Sequence, residues 1–213
     1  MCFEVLFFDL DDTLYPKDSG LWQAIRQRID QYLVEKMNLP KEIVSDLRKE
    51  LFQKYGTTLR GLEQMFQVDE QDFLNYVHDL PLADYLQPDP KLRQTLGEYP
   101  QRKVIFTNAD TNHANRVIST LGLDGCFDQI IDIRDIHPYC KPQPEAFDKA
   151  LELANVKNPQ ECVMIDDSLR NLVSAKEAGL FTIQMGVQDC PPGVDASLVS
   201  LLDLPSVIPN QKR

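Results

Sequence analysis

Three carboxylates, Asp9, Asp11 and Asp12, crowd directly behind the apolar run Val5–Phe8, with Thr13 next in line. The run is short and rich in β-formers, so it reads as a buried strand. A buried strand that runs straight into clustered negative charge is costly unless a cation or a reaction uses that charge. The plain alternative is a polar turn in which Asp side chains bond nearby backbone amides. For an isolated Asp-Asp pair that would be the better reading. Three further signals weigh against it here: Thr107-Asn108 follows Val104–Phe106, Lys141 lies in the loop after Ile130-Ile131, and Asp166-Asp167 follows Cys162–Ile165.

In an open parallel sheet, ligands bind beyond the carboxyl ends of the strands. Such a sheet would gather Asp9, Asp11, Thr107, Lys141 and Asp166 in one place although they are far apart in sequence. Several carboxylates around one lysine and one hydroxyl suggest Mg²⁺, a hard ion that prefers oxygen ligands and keeps several waters. Mg²⁺ with a lysine suits a phosphate. An aspartate can then act as nucleophile, because metal and lysine cancel the repulsion between carboxylate and phosphate dianion.

The elements that must position these groups are legible in the second half. Strand-like segments alternate with helical ones: Val104–Phe106, a stripe of Ala114, Val117, Ile118 and Leu121 closed by Gly122, and Ile130-Ile131. A helix opened by Pro144, the strand Cys162–Ile165, a helix closed by Gly179 and the strand Phe181–Met185 follow. This alternation predicts βαβ units, an α/β fold with a Rossmann-like parallel sheet and helices on both faces. Residues 17–88 differ. Leu21, Ile25, Ile29 and Leu33 form one stripe after a Ser19 N-cap, and Ile43, Leu47 and Leu51 form a second. The expectation is an all-helical insert at 17–88 within a core of 1–16 and 89–213, with Asp89 capping the helix that resumes the core. The tail after Cys190 shows only a possible helical turn at Leu198–Leu202.

Composition narrows the class. The 213 residues suffice for one core with a smaller insert, and a net charge of −11 leaves no basic stripe for a nucleic acid polymer. A small anionic substrate remains compatible, given local positive charge. Cys2, Cys126, Cys140, Cys162 and Cys190 form no CxxC pair and match no zinc spacing, which fits a reducing compartment. No secretory leader or run long enough for a membrane helix is evident, so a cytoplasmic location and no membrane partner are expected.

Asp9-Leu10-Asp11-Asp12-Thr13 resembles the DxDxT signature of the haloacid dehalogenase (HAD) superfamily, and Thr107, Lys141 and Asp166-Asp167 resemble its second, third and fourth motifs in order. The resemblance implies an α/β core with the insert as a C1 cap. It further implies that Asp9 is a nucleophile forming an aspartyl-phosphate, that Asp11 is the general acid and base, and that Thr107 and Lys141 bind the phosphoryl group. Mg²⁺ would be held by Asp9, the backbone carbonyl of Asp11, and Asp166, with Asp167 in support. Dehalogenases of the superfamily lack the acid at the position of Asp11, which favours phosphoryl chemistry. DLDDTLY at Asp9–Tyr15, YGTTLRGL at Tyr55–Leu62, Asn112-His113-Ala114 and Ile165–Ser168 with Asn171 resemble the pyrimidine 5′-nucleotidase-like branch. That implies a nucleoside monophosphate as substrate, with base and sugar left open.

Each remaining residue has a bland reading and a sharp one. Asn108 either holds phosphate or shapes its loop. His113 is a packing histidine or a substrate contact. Arg60 is a solvated helix charge or, beside Gly61 on an insert facing the site, a contact to the leaving group. Asp12 and Ser168 read as caps, Asn171 as a loop brace and Trp22 as core. A phosphosugar phosphatase or phosphomutase is the alternative enzyme. A silent binding module is the alternative of another class, against which the intact motif set argues.

Overall fold

The computed structural model describes residues 3–209, so Cys2 lies outside the described residues. Six parallel strands form one sheet: β1 (Val5–Phe8), β2 (Arg102–Phe106), β3 (Gln129–Ile131), β4 (Cys162–Asp166), β5 (Phe181–Met185) and β6 (Ala196–Leu198), in spatial order β3-β2-β1-β4-β5-β6. β1 is central and buried on both faces. Leu6 and Phe8 belong to one apolar cluster, Val5 and Phe7 to the other. This is why its sequence is uniformly apolar rather than alternating. The chain order reverses between β1 and β4, so the crevice for a ligand opens at their carboxyl ends, where Asp9 and Asp166 stand.

After β1, within residues 17–88, the chain builds four α-helices: α1 (Leu21–Glu35), α2 (Lys41–Tyr55), α3 (Thr58–Met65) and α4 (Glu70–His78). They are joined to the core by apolar continuity. Ile25, Leu33, Leu51, Leu62 and Leu74 share a cluster with Leu6, Phe8 and Ile165 of the sheet. α5 (Pro90–Gly97) and α6 (Thr111–Thr120) cover that same face, while α7 (Pro144–Leu153) and α8 (Leu169–Glu177) cover the other. Asp89 caps α5 as expected, accepting from the amides of Lys91 and Leu92 with Pro90 in the first turn. Among the described residues no helix is long and apolar enough to cross a membrane, and Cys126, Cys140, Cys162 and Cys190 carry free thiols.

Several local expectations are corrected. The inward stripe of α2 runs through Val44, not Ile43, which is 48% exposed. Both are β-branched neighbours, and only the rotation of the packed helix tells them apart. Gly20 at φ 79°, not Ser19, occupies the N-cap of α1; the Ser19 hydroxyl accepts from the Leu21 amide at 3.3 Å from just outside. Ser168 occupies the N-cap of α8 as expected, although its side chain makes no capping bond. In the tail, Ala196–Leu198 is an edge strand on β5, and Leu201–Ser206 forms 3₁₀ turns. Three residues are too few to show a period.

The joint between insert and core is tight at Gly56, the residue after α2. Its φ is 90°, and a Cβ there would lie 2.6 Å from Cys140 Sγ and 3.2 Å from the Lys141 carbonyl oxygen. The Cys140 thiol also donates to the Tyr55 carbonyl at 3.2 Å. Gly56→Ala combines left-handed strain with overpacking and should cost about 1–3 kcal/mol. Denaturant unfolding would read this as a lowered midpoint, and an unchanged midpoint would contradict so close an approach.

Candidate active site

The loop ends of β1, β2 and β4 converge on one ammonium group. Lys141 is 1% exposed, yet its Nζ reaches three oxygens: Asp9 Oδ1 at 2.7 Å, the Phe106 carbonyl at 2.7 Å and Asp166 Oδ2 at 2.9 Å. Burial disfavours its charge, but the fields of Asp166 and Asp9 outweigh that, and the ammonium is held above its ordinary pKa. The loop that delivers it is clamped by Asn108. The Asn108 amide donates to the Lys141 carbonyl at 3.0 Å, and its oxygen accepts from the Lys141 amide at 2.9 Å. The side chain of Asn108 is thus spent on shaping the loop, the bland reading, although the residue does line the cavity.

The carboxylates differ in circumstance. Asp9 also accepts from Thr13 at 3.2 Å. Burial pushes its carboxyl well above the usual range; Lys141 opposes this, and Asp166 and Asp167 add to it. Asp166 is wholly buried and accepts from the Ser168 amide at 2.8 Å and from the Asn171 side chain at 3.0 Å, so Asn171 is indeed a brace. Asp167 pairs with Lys17 at 2.9 Å, though burial and the neighbouring Asp166 keep its carboxyl raised. One carboxylate oxygen from each of Asp9, Asp166 and Asp167 lies within 4.8 Å of the others. Asp12, at φ 57°, has its carboxyl raised to about 6 by burial and by Asp167 and Asp11. One of its oxygens is buried without a hydrogen-bond partner among the described residues, so it caps nothing. An all-oxygen donor set, mutual repulsion and an orphaned carboxylate oxygen fit a hard divalent cation.

Asp11 is held in the opposite state. Burial works against its charge, but His113 Nε2 at 3.0 Å and the Tyr15 hydroxyl at 2.6 Å prevail, keeping its carboxyl below the usual range. His113 is completely buried and does not line the cavity, so it touches Asp11 and not a substrate. Thr107 is 1% exposed; its hydroxyl accepts from the Ala109 amide at 3.0 Å, and the residue lines the cavity.

Arg60 corrects a sharper expectation. It is 4% exposed and outside the cavity lining. Its guanidinium bonds the Tyr139 carbonyl at 3.2 Å, the Ile133 carbonyl, Glu63 at 2.8 Å, Glu70 at 3.3 Å and His137 at 3.0 Å. Five partners leave nothing for a leaving group. The residue ties α3 to the loop that leads to Lys141. The residues missed are those that meet across insert and core. His78, at the end of α4, stacks on His113 at 4.1 Å and bonds Asp110 at 2.8 Å. Lys17 and Arg170 line the cavity, Arg170 lying 4.5 Å over the Phe52 ring. The Tyr15 hydroxyl on Asp11 was missed as well, and it alone, four positions after its partner, carried a local spacing signal.

The cavity above these groups has a volume of about 660 Å³. Its floor is Asp9, Asp11, Thr107 and Lys141; its walls include Trp22, Phe52 and Phe73 of the insert. A family model of haloacid dehalogenase-like hydrolases matches residues 3–179. Phosphate metabolism protein 8 of Saccharomyces cerevisiae is 30% identical over 191 residues, a match that takes in 83% of this chain and 60% of that protein's length. Glyceraldehyde 3-phosphate phosphatase of Pyrococcus furiosus is 28% identical over 192 residues, 84% of this chain and 79% of the relative. In fold, a HAD phosphatase from Thermococcus onnurineus superposes with a TM-score of 0.67 at 18% identity, covering 99% of this chain and 100% of that one.

Two outcomes follow from the geometry. Titration with Mg²⁺ or Mn²⁺ should show a saturable site that Asp166→Ala weakens at least tenfold; unchanged binding would remove the cluster as a ligand set. Arg60→Ala breaks a buried charge network and should destabilise the fold by about 3 kcal/mol. An unaltered unfolding midpoint would return Arg60 to a role in binding.

Proposed function

The chain belongs to the haloacid dehalogenase-like hydrolases, and within that family we propose that it is a Mg²⁺-dependent phosphomonoesterase acting on a nucleoside monophosphate. The observation that carries the phosphatase reading is the pairing of two unlike carboxylates at one floor. Asp9 is buried against Lys141, where charge is costly without a cation; Asp11, two residues on, is held ionised by His113 and Tyr15. Two carboxylates with such different partners can divide the work of nucleophile and proton carrier, with a bound cation supplying the charge that ionises Asp9. The names of the yeast and Pyrococcus relatives, which concern phosphate metabolism and phosphatase activity, support the same class.

Asp9 attacks phosphorus while Lys141 neutralises charge on the carboxylate and on the phosphoryl oxygens. Thr107 offers its hydroxyl to those oxygens. Asp11, once protonated, gives its proton to the departing alkoxide and then takes one from the water that cleaves the aspartyl-phosphate. Asp9, Asp166 and the Asp11 backbone carbonyl would hold Mg²⁺, with Asp167 in support. When bound, that ion supplies the positive charge that lets carboxylate and phosphate dianion approach. The helical insert, as a cap, excludes water from this floor.

The nucleotide reading rests on the walls. A cavity of this volume is within the ordinary range for small-molecule sites. Trp22 is half-buried and packed against the core, yet it lines the cavity with Phe52, and Arg26, Arg48 and Arg170 stand nearby. Flat apolar rings beside cations suit a base on a charged ester. The name of the Pyrococcus relative favours a second reading, a small phosphosugar ester.

Phosphate release from a panel of phosphomonoesters decides between them. We expect nucleoside monophosphates to lead the panel, and Trp22→Ala to lower their kcat/KM about tenfold to a hundredfold, the 1–3 kcal/mol of a lost aromatic–base stack. The same variant should leave p-nitrophenyl phosphate nearly untouched. Equal losses on both, or a lead by triose and hexose phosphates, would favour the phosphosugar reading. Asp9→Asn should abolish all turnover with the fold intact; residual activity near wild type would sink the mechanism.

A further inference from the structure

His113 holds Asp11 through a buried ring that has one polar contact of its own. Its Nε2 is occupied by Asp11 at 3.0 Å, while its Nδ1 is buried with no hydrogen-bond partner among the described residues. An imidazole bonded at one nitrogen can still swing about that contact. Against the plane of this ring lies the face of His78, stacked at 4.1 Å with only 15° between the planes. His78 comes from the other side of the molecule's joint: it is the last residue of α4, in the helical insert, whereas His113 lies in the first turn of α6, in the core. Its own ring is anchored by Nδ1 to Asp110 Oδ2 at 2.8 Å. Asp110 is the N-cap of α6, and its second oxygen accepts from the His113 amide at 2.9 Å. One turn further along α6, Arg116 donates to the carbonyls of His78 at 2.8 Å and Leu80 at 2.6 Å. The end of α4 and the residues just after it are therefore seated on α6 by a ring stack, a side-chain bond and two bonds to backbone carbonyls, and the ring that bonds Asp11 is backed by a residue of the insert.

We propose that His78 and His113 are positioning residues that couple the seating of the helical insert to the orientation of the Asp11 carboxylate, so that proton transfer to the leaving group is available only when the insert is docked. This rests on the phosphomonoesterase reading, in which Asp11 is the acid. It goes beyond that reading in assigning the control of Asp11 to a pair that spans insert and core. Docking would then do two things at once: close the cavity over the substrate and set the acid. A substrate bound without the insert in place would meet the nucleophile with its proton donor out of line.

The test separates positioning from mere structure through the leaving group. The ratio kcat/KM reports steps up to the transfer of the phosphoryl group to Asp9. With p-nitrophenyl phosphate that step expels a stable phenolate and needs no proton; with a primary alkyl phosphate it expels an alkoxide and does. Asp11→Asn is the reference and should lower kcat/KM for the alkyl ester by about a hundredfold or more, and far less for the aryl ester. His78→Ala and His113→Phe should show the same sign, with an alkyl loss at least tenfold greater than the aryl loss. His78→Phe, which restores a ring to stack, and His113→Gln, which restores a side-chain N–H toward Asp11, should recover much of it. Equal losses on both esters in folded His78→Ala and His113→Phe, or no loss on either, would overturn the coupling while leaving Asp11 as the acid. If Asp11→Asn shows no preference between leaving groups, the acid role itself fails and the coupling with it. Should His78→Ala not fold, the contrast between His113→Phe and His113→Gln decides by the same ratio.

Discussion

The site depends on one buried ammonium. Lys141 reaches Asp9 from β1, the Phe106 carbonyl from β2 and Asp166 from β4. Three strand ends, with their like charges and an open backbone oxygen, can share one small volume only because that cation stands among them. Even with Lys17 on Asp167, two monovalent charges do not cancel Asp9, Asp166, Asp167 and Asp12 together. The remaining imbalance shows as carboxyls raised by burial and mutual repulsion at Asp9, Asp12 and Asp167. The fold is thus left with negative charge that a divalent cation would complete, at the switch point where a doubly wound sheet opens.

The second constraint is the joint between insert and core. Three of its contacts lie close to a chemical group. Gly56 packs on Cys140 and the backbone of Lys141. Arg60 ties α3 to the carbonyls of Ile133 and Tyr139, on the loop that leads to Lys141. His78 stacks on the histidine that holds Asp11. The insert therefore does not only roof the cavity with Trp22, Phe52 and Phe73; it also braces the loops that carry the charged groups. Within the YGTTLRGL segment Arg60 serves this bracing, while Gly56, Thr57, Thr58 and Leu59 line the cavity beside the faces of α1, α2 and α4.

What was legible in the sequence follows from range. β1, β5 and the helices α6 to α8 declare themselves through runs and periods that are complete within a few residues. The polar groups at strand ends were legible because a parallel sheet delivers every carboxyl end to the same edge. Asn171 reads as a loop brace from the sequence, and the residue it braces, Asp166, is only five positions away. The roles of Arg60 and His113 were not legible: their partners lie 73 and 102 positions away, at Ile133 and Asp11. An arginine beside a glycine on a helix looks the same whether it points to a ligand or to backbone carbonyls. His78 carried no signal at all, since its meaning exists only once α4 and α6 touch.

The central claim is that Asp9 is the group that takes the phosphoryl. Rapid acid quenching during turnover of a nucleoside monophosphate with Mg²⁺, followed by peptide mass analysis, tests it directly. The account predicts a phosphoryl group on the peptide containing Asp9, labile to hydroxylamine as an acyl phosphate must be, and present before free phosphate accumulates. A phosphoryl group on any other side chain, or steady phosphate release with none trapped on the protein, would contradict it.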